Sequence, residues 1–232
     1  MRKLCMLAAA LAVTVSLNAN QAAQNPDADR KLAGGGIMAP GWKGQIDAGA
    51  AKAGGKIEDS KFALAAGKFT IATGPAAVYW NDGNTGTGDY TVKATFLEPK
   101  FRNIMDHPHP YGIFIAGSGL GTDTQKLLYC AAYGSGTFIV RGFNPAPFAL
   151  NGRRGGPHAA INKAAAVGEP VTQEIMWAVK GGTAECSING QVVGTYDAAA
   201  LQTGGNIGSL NGIYGIRVAH NVEVEVSGLE KK

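Results

Sequence analysis

The chain has 232 residues, 34 of them Gly and 10 Pro; 45% are hydrophobic and 16% charged, with a net charge of +4. This composition lies short of low-complexity chains and leaves enough apolar residues for a core. It excludes a coiled coil, a helical bundle and a disordered chain, and the length suits a single all-β domain.

Arg2 and Lys3 precede an apolar run from Leu4 to Leu17, which is followed by the small and polar residues Asn18 to Ala23. This is the pattern of a secretory signal peptide over residues 1–23, because the run is short of the roughly 20 residues a span needs. A secreted or periplasmic location is therefore expected, with no membrane span after processing. Removing Arg2 and Lys3 leaves 19 basic and 17 acidic residues, a net charge of +2. The remaining basic residues are scattered apart from Arg153-Arg154, so no nucleic-acid face is expected. Cys5 belongs to the signal. Cys130 and Cys186 remain and could pair in an oxidising compartment, or could be two buried thiols. Cys186 alternates with Ala184 and Ile188, which points it inward.

Residues 24–36 are polar and are expected to be flexible. A single domain over residues 37–232 follows. Short strands are predicted at Phe62–Leu64, Phe69–Thr73 and Ala77–Trp80. Tyr90, Val92, Ala94 and Phe96 alternate with polar residues, which marks a strand with one buried face. Further strands are predicted at Gly112–Ala116, Leu127–Tyr133 and Phe138–Phe143. Residues 144–170 read as a long loop with a short helix over Ala159–Ala166. Glu174–Lys180 then carries Ile175, Trp177 and Val179 on one face, which makes Trp177 a core residue. Asn189-Gly190 between alternating runs predicts a hairpin, since both positions accept positive φ. Gly212–Ala219 and Val222–Val226 complete the set. Many short strands with no long helix predict a two-sheet antiparallel β-sandwich.

Four segments, KFALAAGKFTIATGPAAVYW (61–80), DYTVKATF (89–96), YGIFIAG (111–117) and NGIYGIRVAHNVEVEV (211–226), resemble concanavalin A-like lectin/glucanase jelly rolls. In particular they are similar to bacterial secreted 3-keto-disaccharide hydrolase-like domains. The resemblance implies a concave sheet face that binds or cleaves glycans.

The paired-carboxylate strand motif of retaining glycanases is absent. Glu223-Val224-Glu225 is the one Glu-x-Glu on a strand, and it reads as a solvated face opposite a valine core face. Carbohydrate binding without turnover is therefore the first expectation. A glycoside-cleaving enzyme of the 3-keto-disaccharide hydrolase-like type is the alternative, and an envelope structural or interaction module the third. Candidate ligand-binding residues are Trp80, His107, His109, Tyr111 and Arg141. His107-Pro108-His109 supplies two metal-ligand side chains; His158 or His220 would have to join them to complete a site. Asp82, Asn84 and Asp89 lie in a Gly-rich run that reads as a polar hairpin loop and offers the oxygen donors calcium prefers. Arg141 and Arg217 sit among apolar strand residues and each needs a carboxylate or ligand partner.

Overall fold

The computed structural model describes residues 25–232; the expected signal peptide and Cys5 lie outside the described residues. In chain order the strands are β1 (Gly36–Ile37), β2 (Trp42–Ile46), β3 (Lys61–Ala65), β4 (Lys68–Ala72), β5 (Ala77–Gly86) and β6 (Tyr90–Glu98). Then come β7 (Asn103–Ile104), β8 (His107–Pro108), β9 (Tyr111–Ser118), β10 (Lys126–Tyr133), β11 (Thr137–Asn144) and β12 (Ala146–Ala149). The last six are β13 (Gly156–Pro157), β14 (Val171–Lys180), β15 (Thr183–Ile188), β16 (Gln191–Asp197), β17 (Gly212–Val218) and β18 (Glu223–Lys231). Two short helices, α1 (Ala48–Lys52) and α2 (Ala198–Thr203), lie outside the strands.

The strands form two large sheets. One has the order β1-β3-β4-β18-β6-β14-β15-β16, the other β12-β11-β10-β9-β17-β5-β2 with β13 on β11. Among the described residues pairing is antiparallel except for β1 on β3. The molecule is thus the all-β, two-sheet antiparallel β-sandwich that the alternation predicts.

The core forms where the inward faces meet. Val92, Ala94 and Phe96 of β6 with Ile175, Trp177 and Val179 of β14 come from the first sheet. Ile113 and Ile115 of β9, Leu128 of β10, Val140 of β11 and Ile216 of β17 come from the second. Trp177 is fully buried, and its Nε1–H donates to the Ile113 carbonyl at 3.1 Å. Cys130 on β10 and Cys186 on β15 form a disulfide between the sheets, their Cα atoms 6.4 Å apart. On β18, Val224 and Val226 are buried, while Glu223 and Glu225 face outward and pair with Arg30 and Lys68 at 2.7 and 2.8 Å.

The second sheet is buried on both faces. Val78, Trp80, Phe114, Leu127, Tyr129 and Ile139 form a separate apolar cluster on its outer side. This explains why β9 and β10 read as continuous apolar runs rather than clean alternation.

Several local expectations are corrected. The Asn81–Asp89 run is not simply a loop, because β5 continues to Gly86 and pairs with Gly212 and Ile213. Residues 159–166 form no helix; the surrounding loop instead contributes β12 and β13 to the second sheet. The segment expected to be flexible before residue 37 is anchored. Arg30 donates through Nε to the Thr73 carbonyl at 2.7 Å and through its backbone N–H to Asn221 Oδ1 at 3.0 Å. Asn189 and Gly190 take φ of 50° and 79°, as their hairpin requires.

Candidate metal centre and adjoining cleft

Three separate parts of the chain deliver one cluster of side chains. The first is the β7–β8 hairpin, whose turn residues Met105 and Asp106 have φ of 52° and 56°. Asn103 Nδ2 donates to Asp106 Oδ1 across this turn at 3.3 Å. Past the turn the chain runs extended, so His107 and His109, two residues apart, project to the same side. Pro108 and Pro110 fix φ on this stretch and stiffen it. The second part is the link between β17 and β18, which holds His220 beside Asn221 with φ of 57°. The third is the N-terminal segment that carries Asp27. Asn221 Nδ2 donates to the Asp27 and Ala28 carbonyls at 3.2 and 3.1 Å. The residue that follows His220 thereby also fixes the backbone of Asp27.

The donor atoms of Asp27, His107, His109 and His220 all lie within 4.8 Å of one another. Asp27 Oδ2 is 2.9 Å from His107 Nδ1, and Asp27 Oδ1 is 3.1 Å from His109 Nε2. The two Nε2 atoms of His109 and His220 face each other at 2.9 Å. His220 donates its other nitrogen, Nδ1, to Asp29 Oδ1 at 2.8 Å. That bond fixes the tautomer and turns the Nε2 lone pair toward the cluster, as an outer carboxylate does for metal-ligating histidines.

Electrostatics favours the ligand form at His109 and at Asp27. Burial, followed by the neighbouring His220 charge, lowers the His109 pKa to about 4, so its imidazole is neutral at physiological pH. At Asp27 burial opposes ionisation, but the His107 hydrogen bond, the electrostatic influence of the two other imidazoles and the Asn221 hydrogen bond outweigh it and lower the pKa. Neutral imidazoles and an ionised carboxylate are the forms a metal requires. Three imidazoles with one carboxylate suit zinc or another first-row transition ion. They do not suit calcium, which takes oxygen donors.

A cleft runs over the outer face of the second sheet beside this cluster. One hollow, of about 550 Å³, is bounded by Gln45, Tyr129, Phe143, Phe148 and Arg217. Another, of about 630 Å³, is bounded by His107, Tyr133, Thr137, Arg153 and Arg154. A smaller one of about 210 Å³ shares Arg217 and His220 with the first, His107 and Tyr133 with the second, and also meets His109. Arg141 borders all three. On the sheet, Arg141 pairs with Tyr129, and Arg217 lies between Gly112 and Val78. Arg217 makes a bidentate ion pair with Asp47 at 2.5 and 2.7 Å and lies 5.5 Å from the Tyr129 ring centroid. Burial opposes its charge, but the Asp47 carboxylate outweighs that and raises the pKa above its ordinary value.

The candidate residues separate in space. His107, His109 and Arg141 belong to the cluster and cleft, and His220 joins them; His158 instead accepts from the Ala160 N–H. Tyr111 is corrected from a ligand-binding residue to a core residue. It is fully buried between the sheets and stacks on Phe96 with centroids 5.6 Å apart, because its register position on β9 faces inward. Trp80 lies on the outer face but is 3% exposed, and its Nε1–H donates to Asp82 Oδ1 at 3.1 Å. Asp82 also takes Lys43 at 2.6 Å, and that hydrogen bond lowers its pKa. Asn84 is half-buried on β5, and Asp89 Oδ1 accepts from the Gly181 N–H at 2.9 Å. The Asp82 and Asp89 carboxylates are thus each committed to a partner on another element. Asp27 and Asp29 carried no sequence signal, since they lie in a polar stretch about 190 residues from His220.

No protein-family model matches the sequence, and no curated protein matches it. Solved structures do. A protein of unknown function with a galectin-like fold from Bacillus subtilis aligns with a TM-score of 0.52 at 11% identity, over 82% of this chain and 88% of that one. A carbohydrate-binding module from the same species aligns at 0.48 and 10%, over 85% and 99%. The laminarinase catalytic domain from Thermotoga maritima aligns at 0.43 and 14%, over 83% and 84%. The chain has a galectin-like sandwich fold. At these identities the likeness concerns the fold and not the chemistry of the cleft.

Proposed function

We propose that this protein is a secreted or periplasmic, metal-dependent enzyme acting on carbohydrate, with cleavage of a glycosidic linkage as its reaction. The observation that carries the reading is the convergence of His107, His109, His220 and Asp27 at the edge of an open cleft. The galectin-like fold is consistent with a sugar substrate, and the reading agrees with the 3-keto-disaccharide hydrolase-like resemblance. A disulfide between the sheets is consistent with an oxidising compartment.

A divalent transition ion held by these four side chains would supply a Lewis acid for a sugar oxygen. The chain's own contribution is orientation. Asp29 aims His220, Asn221 holds the segment bearing Asp27, and the Pro108 and Pro110 rings stiffen the two histidines beside the β7–β8 hairpin. Tyr129 and Phe143 border the cleft with the Arg217 guanidinium over their rings, 5.5 and 5.6 Å from the centroids.

A second reading, sugar binding without turnover, is favoured by one feature. Four protein donors fill a tetrahedral zinc shell, as in structural rather than catalytic zinc sites. Metal content and turnover decide between the two. The protein stripped with a chelator and reloaded with Zn²⁺, Mn²⁺, Co²⁺ or Ni²⁺ is assayed on disaccharides and their 3-keto derivatives. Metal-dependent cleavage lost in His109→Ala supports the enzyme. Stoichiometric metal and sugar binding with no cleavage under any ion supports the binding protein and overturns the enzyme reading.

A further inference from the structure

The two ends of the cleft differ in charge. On one side Asp47 neutralises Arg217, and the carboxylates Asp29 and Asp123 join Tyr129, Phe143 and Phe148 around the hollow. On the other side Arg141, Arg153 and Arg154 line the hollow of about 630 Å³ next to His107. The arginine ion pairs among the described residues are Arg30 with Glu223 and Arg217 with Asp47, so these three guanidinium groups have none. Asp106 is the one carboxylate on this wall, and Asn103 already donates to it.

Arg141 is placed for a ligand. It projects from β11 on the outer face, opposite Tyr129, and its Nη2 donates to the Arg153 carbonyl. That contact ties the Arg153-Arg154 turn to the sheet. The Nε–H of Arg141 is buried and has no acceptor. A buried donor left unpaired is costly, and planar guanidinium groups match the oxygens of carboxylate and related oxyanions.

We infer that the substrate carries an oxyanion, the carboxylate of a uronic acid or a sulfate ester, and that Arg141, Arg153 and Arg154 receive it. This rests on the carbohydrate reading above and adds to it the chemical class and the direction of binding. The charged sugar lies on the His107 side, and the neutral part of the chain lies toward Tyr129 and Phe143. The metal cluster sits between, at the junction of the two hollows.

Isothermal titration of the full chain, loaded with Zn²⁺, tests this. The probes are glucuronate, galacturonate and mannuronate, their neutral parents, and galactose 6-sulfate. At least one acid should bind about tenfold or more tighter than its neutral parent, as charge-assisted hydrogen bonds predict. The preference should shrink at high salt. Uronate or sulfate as the preferred arm identifies which oxyanion the site takes. The double variant Arg153→Gln/Arg154→Gln should lose the preference, and Arg141→Lys should lose much of it despite retaining the charge. The inference is overturned if no probe acid binds more tightly than its neutral parent, or if the preference survives in the double variant. Zn²⁺ affinity is measured separately on both proteins. Equal, tight Zn²⁺ binding without acid preference removes this inference and leaves the metal reading standing; acid preference without metal binding does the reverse.

Discussion

Replacing Glu98 by glutamine should stabilise the fold above neutral pH and leave it nearly unchanged in acid. Glu98 ends β6 on the inward face, is 2% exposed, and accepts one hydrogen bond, from the Arg102 N–H at 3.1 Å. Its second oxygen, Oε2, is buried without a partner, and a Cβ at Gly134 would lie 2.7 Å from it. Burial raises its pKa from 4.5 to about 7, against the opposing Arg102 N–H, the neighbouring Tyr111 hydroxyl and the Arg102 charge. Below about pH 4.5 both folded and unfolded chains carry the proton, and nothing is lost. Between the two values the unfolded chain ionises first, so stability falls as pH rises. Above about 7 the full difference is lost, about 3 kcal/mol at 1.36 kcal/mol per unit. The glutamine side chain cannot ionise and keeps an oxygen for Arg102. For a domain of this size the gain corresponds to about 6–12 °C in melting temperature. Thermal unfolding of both proteins at about pH 4 and about pH 8.5 measures it. Equal pH dependence in the two proteins, or a variant less stable at the alkaline pH, would refute the argument from burial.

The remaining predictions concern the site and the framework. Saturating the stripped protein with Zn²⁺ at about 100 times its dissociation constant should add about 2.7 kcal/mol, and His109→Ala or Asp27→Ala should abolish the thermal shift. Asp29→Ala should weaken metal affinity by about 10–100-fold through loss of the bond that aims His220, read by competition with a chromophoric chelator. Asp47→Ala leaves Arg217 buried and unpaired and should cost about 3–5 kcal/mol in urea unfolding, whereas Asp47→Ala with Arg217→Met should cost clearly less. Replacing both Cys130 and Cys186 with alanine opens a loop of 56 residues' separation and should cost about 4 kcal/mol on the chain-entropy account.

Part of this architecture was legible from residue order. The inward set Tyr90, Val92, Ala94 and Phe96 follows from period-two alternation, a local property of a strand with one dry face. Asn189-Gly190 specifies its hairpin because positive φ is a property of two adjacent residues. Glu223 and Glu225 could be assigned to solvent because Val222, Val224 and Val226 fix the opposite face. Tyr111 was misplaced for a physical reason. β9 is buried on both sides, so alternation carried no information about which side met the cleft.

The site depended on folding. His107 and His109 were visible as a pair because two residues of extended chain suffice to put them on one side. Their partners come from the two ends of the domain, and no spacing rule links residue 27 to residue 220. Those contacts exist because β18 returns beside β6 and because Asn221, at a positive φ, ties down the backbone near Asp27. The same holds for the cleft, where Arg141 meets Arg153 and the histidines only through the packing of β7, β8 and β11. Local chemistry therefore determined the sheets, the turns and one pair of donors. The metal cluster and the charge gradient were decided by tertiary structure, since each is a sum over residues that only long-range strand pairing brings within bonding distance.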